Sequence, residues 1–448
     1  MGAIKSLTGK KGLTILPADK GGAICIMQTT KYHALGLDVL SDVTNFAPVT
    51  DDDKEGSDVS IMQSAYNDQI KVIGDRCRNE NDKITIKRLE SPRNPKFPTM
   101  NGNLKCHKDP MKLRPVISHV NAPMSHGSKW AATQLSACVG LISQAHIKDT
   151  RDFFDKVRRS KAKGRLLSLD VKSLFTNIPV EEAIEVVRTH STGPNPTFSL
   201  PVNPEIFCDI LKVCTSFNQF CFNGKYYRQI AGVPMGSSLS PAMANIYMEH
   251  FENYLLEDIP VDLRPNLWLR YFDDIFCCFR DISKLDEFLA KLNEIRPTIQ
   301  FTVELSVLAA DGGNLPENVT ETLPFLELNV LRSTNGSVRF SIYRKPCHAG
   351  LYLHAHSYQP LFQKTSVIRN LFLRAYRYCD EQFIEDEETR IRDDFLKLGY
   401  TSKFIENCKK SAIRGRRNEV SPRASTGITS VKQKPLATLT LPYHSSMI

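Results

Sequence analysis

The chain lacks any run of about 18 apolar residues, the length a membrane-spanning helix needs. Its first twenty residues, MGAIKSLTGKKGLTILPADK, carry no apolar stretch of signal-peptide character. The twelve cysteines form no C-x-x-C pair and no regular spacing, so neither a zinc finger nor a disulfide framework is expected. Reduced thiols in an intracellular protein, with no membrane partner, are the expectation. There is no internal repeat. The chain has 448 residues, 41% hydrophobic and 24% charged, which is a globular balance. A length of 448 allows about three domains and a large core.

The net charge of +9 is unevenly placed. Residues 401–448 hold nine Lys/Arg against two Glu, and residues 101–170 hold thirteen against five Asp. Basic stretches of this kind suit a polyanion, because each phosphate neutralised releases counterions. A solvated surface has the same composition. Charge alone therefore suggests nucleic acid without establishing it.

Local patterns give candidate elements. Apolar runs at 13–16 and 23–27 around a Gly-containing turn read as a hairpin. The stretch 50–60 reads as an acidic loop, and Pro92, Pro95 and Pro98 as a connector. Residues 180–187 predict a helix opened by Pro179 with Glu181 and Glu182 in its first turn. Ser240 is placed as the N-cap of a helix with Pro241 in its first turn. Residues 323–331 and 337–343 flank Asn335-Gly336, a strong hairpin signal, and 361–378 predicts an Arg-rich helix.

The sharpest signal is WLRYFDDIFCCF at 268–279, where two apolar runs flank adjacent aspartates. A strand–turn–strand would carry Asp273 and Asp274 at its tip. Successive strand side chains point oppositely, so a tight turn is where both can reach one site. Two carboxylates beside apolar strands repel each other and are costly to desolvate, and a divalent cation offsets that cost. An ordinary polar turn reads the same way in isolation. A third carboxylate, Asp170, ends the apolar run LLSLD at 166–170. Adjacent or parallel strands bearing Asp170 and Asp273–Asp274 could hold two metal ions for in-line phosphoryl transfer. Between them, GVPMGSSLSP at 232–241 supplies Gly236, where backbone can approach a ligand closely.

The ordered set SLDVKSLFTNIP (168–179), GVPMGSSLSP and RYFDD (270–274) resembles the palm of reverse transcriptases, and more narrowly that of Penelope-like retroelements. ADKGG at 18–22, His107-Lys108, LRPVIS at 113–118, FTVE at 301–304, LPFL at 323–326 and YRKP at 343–346 extend the resemblance. It implies an α/β (α+β) right-hand polymerase: an N-terminal extension with part of the fingers over 1–95, fingers and palm over 96–345, and a partial helical thumb with a basic tail over 346–448. It implies an RNA-directed DNA polymerase using Mg²⁺ (or Mn²⁺), an RNA template, a DNA primer and dNTPs, in the nucleus. Asp170 and Asp273 would be the principal metal ligands, with Asp274 completing the cluster. Arg114, Lys112 and Lys108 would contact the triphosphate. Phe175 would close the sugar 2′ side, Gly236 would line the template and base, and 343–346 would support the primer end.

The sequence departs from that family in three places. Ser238 replaces the common Pro, GNLKCHK (102–108) stands for GLPKIHK, and no GIY or YIG tripeptide marks the family's usual nuclease. A truncated or inactive remnant that only binds nucleic acid is the alternative reading. Cys347-His348 with His354 and His356 matches no standard zinc spacing.

Overall fold

The computed structural model describes residues 12–20, 22–50, 58–106, 110–160, 163–312, 315–346, 348 and 350–420. The chain divides into two compact units, 1–351 and 352–448.

The first unit opens with the expected hairpin, β1 (Leu13–Pro17) and β2 (Ile24–Gln28), followed by α1 (Thr29–Leu40) and β3 (Phe46–Pro48). Helices α2 (Val59–Asp75) and α3 (Glu80–Lys87) begin at Asp58 and Asn79, whose side chains accept from the backbone N–H two residues on. Residues 51–57 of the expected acidic loop lie outside the described residues. Strands β4 (Thr99–Lys105) and β5 (Lys112–Ser118) pair antiparallel. Then follow α4 (Ser125–Cys138), α5 (Thr150–Arg159), β6 (Arg165–Val171), the one-turn α6 (Leu174–Asn177), α7 (Val180–Ser191) and α8 (Pro204–Ser216). After these come β7 (Gln219–Phe222), β8 (Lys225–Gln229), α9 (Ser240–Glu257), β9 (Leu267–Tyr271), β10 (Asp274–Phe279), α10 (Leu285–Ile295) and β11 (Phe301–Leu305). Strands β12 (Val307–Leu308), β13 (Val319–Phe325), β14 (Leu328–Ser333) and β15 (Val338–Ile342) complete the unit.

Three larger sheets result. One has the order β3-β8-β7-β4-β5, the second β11-β6-β10-β9, and the third β12-β13-β14-β15. The β1–β2 hairpin leans on the first through a bridge between Ala18 and Leu104. The main core gathers one face of β6 and β10, with Leu167, Leu169, Ile275 and Cys277, against α4, α7, α8 and α9. Helix α9 is buried at every position from 242 to 249, so it is apolar almost all round and runs through the core. Two polar residues inside that run, Asn245 and Glu249, have specific partners described below.

Two local expectations need correction. Ser240 is the first residue of α9 and Leu239 the cap; the Ser240 hydroxyl donates to the Pro234 carbonyl at 2.7 Å, tying the preceding loop instead of capping the helix. The apolar run 323–331 is two strands, because Leu326 adopts φ +53° and turns the chain between Phe325 and Leu328. A leucine in that conformation carries no composition signal.

The second unit holds α11 (Leu361–Tyr378), as the sequence predicts, α12 (Ile384–Lys397) and α13 (Ser402–Val420). Lys403, Asn407, Lys410 and Arg414 of α13 are all exposed. Their spacing puts them on one face of the helix. The basic tail beyond 420 lies outside the described residues, as does Cys347 of the weighed zinc site.

Candidate active site

Strand β6 alternates as its sequence demands. Leu167, Leu169 and Val171 are buried against the helices, and Asp170 points to the opposite face and is exposed. Asp170 is therefore one residue short of the strand end, not its last residue. Strand β10 lies antiparallel beside it with Asp274 directly opposite Asp170 and Phe276 opposite Ser168. Directly opposed residues share a face, with Cβ atoms about 5 Å apart. Farther along this face, Phe276 is covered by Phe153 of α5 and Phe325 of β13, with ring centroids 5.1 and 5.5 Å away. The two aspartates stand where that cover ends.

Tyr271 pairs with Asp274, so Phe272 and Asp273 alone form the turn between β9 and β10. Phe272 has φ +54°, a conformation costly for an aromatic residue. The Val171 amide donates to the Asp273 carbonyl at 3.0 Å, which fastens the turn to β6. Asp273 is thereby held beside the Asp170–Asp274 pair.

A buried cation supports the same turn from inside. Arg270 is fully buried, and its Nε donates to Glu252 Oε1 of α9 at 2.5 Å. Its Nη1 donates to Asn245 Oδ1 at 3.0 Å and to the Phe272 carbonyl at 3.3 Å. Glu249, also fully buried, accepts from the Gly140 and Ile142 amides at 2.6 and 3.1 Å. The backbone of Arg270 bonds Ala145 and Ile147, so the 140–147 loop closes the outer edge of β9. The polar residues of α9 thus position the acidic turn.

The carboxylates are under electrostatic load. Packing around Asp274, and then the charges of Asp273 and Asp170, push its carboxyl up to about 6. Asp170 is raised by its surroundings and by Asp273. Lys20, Arg114 and Lys105 act on Asp170 in the opposite direction, as Lys345 and Lys20 do on Asp274. Among the described residues, none of the three aspartates is ion-paired with Lys or Arg at 4 Å. Nor do any three acidic, His or Cys side chains among those residues converge tightly enough to cage an ion alone. Hard oxygen donors lacking a cationic partner fit a cation such as Mg²⁺, which takes one or two carboxylates and completes its shell with water and substrate phosphates.

The raised Asp274 pKa fixes a sign. Between its ordinary value of 3.8 and about 6 the folded chain holds a proton that the unfolded chain has released. Stability from this group therefore falls as pH rises through that window. In chelator, the Tm of the wild type is expected to drop more between pH 4.5 and 7 than that of Asp274→Asn. Divalent cation should reverse the drop at pH 7. Equal pH slopes for the two proteins would contradict the assignment.

Residues 106–305 match the family model described as reverse transcriptase (RNA-dependent DNA polymerase). Residues 106–305 are a reverse transcriptase domain. Residues 351–410 match a second model, the animal helix-turn-helix domain. No curated protein sequence matches the chain. Among solved structures, the telomerase of Candida albicans in complex with a TWJ fragment of telomeric RNA aligns at 11% identity and TM-score 0.53, over 92% of this chain and 68% of that one. Apo telomerase from Candida tropicalis aligns at 10% identity and TM-score 0.46, over 91% and 65%. The Sicinivirus 3Dpol RNA-dependent RNA polymerase aligns at 13% and 0.43, over 78% and 71%. The chain spans about two thirds of each telomerase chain. The first alignment carries the fold, a mixed helix-and-sheet right-hand polymerase, and the family match carries the enzyme class, an RNA-directed DNA polymerase.

Within the reverse transcriptase domain, Arg114 and Lys112 lie on β5 two residues apart and so share a face. Arg114 Nε lies 2.9 Å from Asp19 Oδ1, and Asp19 Oδ2 is buried without a hydrogen-bond partner. Lys108 lies outside the described residues. Phe175, on α6, is half-buried against the main core, and its carbonyl accepts from the Val233 amide at 2.7 Å. Gly236 has φ +120°, and a Cβ there would run into the Ile117 carbonyl oxygen of β5. The close approach it permits is to that strand, whose Ile117 amide donates to the Met235 carbonyl at 2.6 Å. Lys20, in the β1–β2 turn, and Lys105, at the end of β4, join the site through the fold without a role predicted by the sequence. The ADKGG motif was the available signal for Lys20.

Proposed function

We propose that this domain extends a DNA primer 3′-OH on an RNA template, with dNTPs as substrates, by two-metal nucleotidyl transfer, and that the chain is the nuclear polymerase of a Penelope-like retroelement. The observation carrying the reading is the register that sets Asp274 opposite Asp170, beside the Asp273 turn. Asp170, Asp273 and Asp274 would hold Mg²⁺ (or Mn²⁺), which supplies charge for the attacking and leaving oxygens of an in-line displacement. Lys20, Arg114 and Lys345 bring positive charge toward the carboxylates and suit a triphosphate. The 346–448 region serves as the thumb, with the exposed Lys403–Arg414 face of α13 and the basic tail as its backbone contacts. Primer extension on poly(rA)/oligo(dT) by purified protein with Mg²⁺ tests the reading. Binding without extension would leave a nucleic-acid-binding remnant in its place.

Phe175 is the sugar discriminator in this reading. Its ring, held by the Val233–Phe175 backbone bond, would meet a ribose 2′-OH and strip it of water without offering a partner. An unpaired hydroxyl costs about 1–3 kcal/mol, so Phe175→Ala is expected to relax dNTP over rNTP preference on the order of 10- to 100-fold. The ratio of kcat/KM values measures this independently of how much mutant is folded. An unchanged ratio would make Phe175 a core aromatic only.

A further inference from the structure

Cys25 and Cys106 are 81 residues apart in sequence, yet their Sγ atoms lie 3.1 Å apart. Cys25 is half-buried in β2, and Cys106 is exposed in the turn that follows β4. The two sulfurs span the seam between the N-terminal hairpin and the first sheet. That seam consists of the Ala18–Leu104 bridge, the Asp19 amide donating to the Leu104 carbonyl at 2.9 Å, the Asp19–Arg114 ion pair, and Leu16, Cys25 and Met27 packing with Leu104 and Leu113. An isolated two-stranded hairpin is marginal in water, so its position depends on this docking. The hairpin turn carries Asp19, which meets Arg114, and Lys20, which faces the aspartates electrostatically.

We propose that Cys25 and Cys106 are a reversible modification site, closed to a disulfide by a low-molecular-weight thiol–disulfide oxidant such as oxidised glutathione, which locks the Asp19–Lys20 hairpin onto β4. The bond needs the sulfurs to close from 3.1 Å to roughly 2.0 Å, a movement an exposed turn residue can make. The exposed Cys106 thiolate attacks oxidised glutathione, forming a mixed disulfide and expelling one glutathione thiolate. Cys25 then attacks the Cys106 sulfur and expels the second. Two protein thiols are oxidised, the one glutathione disulfide is reduced to two thiols, and the two protons pass to those thiols. Burial and the neighbouring Cys106 push the Cys25 thiol up to about 11. The second influence ends once Cys106 is in the mixed disulfide, so the steps favour that order. Transient, redox-sensing disulfides are the kind found inside cells.

The test treats the full folded chain with oxidised glutathione, alkylates remaining thiols and maps the peptides. A mass two hydrogens lower, a crosslinked peptide pair joining Cys25 to Cys106, and reversal by dithiothreitol are expected. Amide exchange across β1 and β2 should slow at least tenfold in the closed form. Cys25→Ser should instead retain glutathione on Cys106, and Cys106→Ser should take up none at Cys25. A crosslink through other cysteines, a stable glutathione adduct on wild-type Cys106, or closure without slower hairpin exchange would each overturn the proposal.

Discussion

Asp273→Asn is expected to abolish primer extension while leaving primer–template binding unchanged. The substitution keeps size and backbone, so the Val171–Asp273 bond that fixes the turn should survive. What it removes is one of three clustered negative charges. A group that stabilises charge in the transition state typically contributes 10²–10³-fold, and a metal-holding carboxylate should contribute on the order of 10³-fold or more. Binding rests on Lys and Arg elsewhere, so the slope of log Kd against log salt should not move. The same substitution has an opposite effect on stability. Asp273 raises the pKa of both Asp170 and Asp274, so removing its charge relieves repulsion in metal-free protein. Asp273→Asn should therefore melt higher than wild type in chelator at pH 7 while extending nothing. Equal extension rates for the two proteins would remove these aspartates from the reaction.

The acidic hairpin was legible because two apolar runs flank adjacent aspartates, of which Asp273 falls in the two-residue turn and Asp274 begins β10. The order of motifs placed β6 and β9–β10 in one site, and the antiparallel register now explains how Asp170 and Asp274 share a face. Other parts left weaker marks. Lys20 lies 150 residues before Asp170, and only the docking of the β1–β2 hairpin on β4 brings it near. Gly236 read as a residue for ligand approach, whereas the backbone it clears is that of β5. Leu326 and Phe272 turn tight corners with positive φ although nothing in either side chain favours that conformation. In both cases the flanking strand pairs dictate the turn. Arg270 stands in RYFDD with no mark of its role, since a buried arginine and a surface one are the same letter.

Arg270→Met is expected to cost about 3–5 kcal/mol of stability, the range for breaking a buried ion pair from one side. Glu252 would be left buried with only the Trp268 indole N–H, 3.4 Å from its Oε1, and its Oε2 already lacks a hydrogen-bond partner. Asn245 Oδ1 and the Phe272 carbonyl would lose their donor at the same time. Glu252→Gln should cost less, because a neutral amide oxygen can still accept from Arg270. The double substitution Arg270→Met, Glu252→Leu removes both charges and fills the space with apolar atoms, and such exchanges are often neutral or stabilising. It should recover most of the lost stability. It should not recover extension, because the Phe272 carbonyl then loses its Arg270 donor and the strained turn that presents Asp273 is left with the Val171 bond alone. Urea unfolding and single-turnover extension on the same four proteins separate these outcomes. A double variant as active as wild type would show that Arg270 balances the charge of Glu252 and does no positioning of the aspartates.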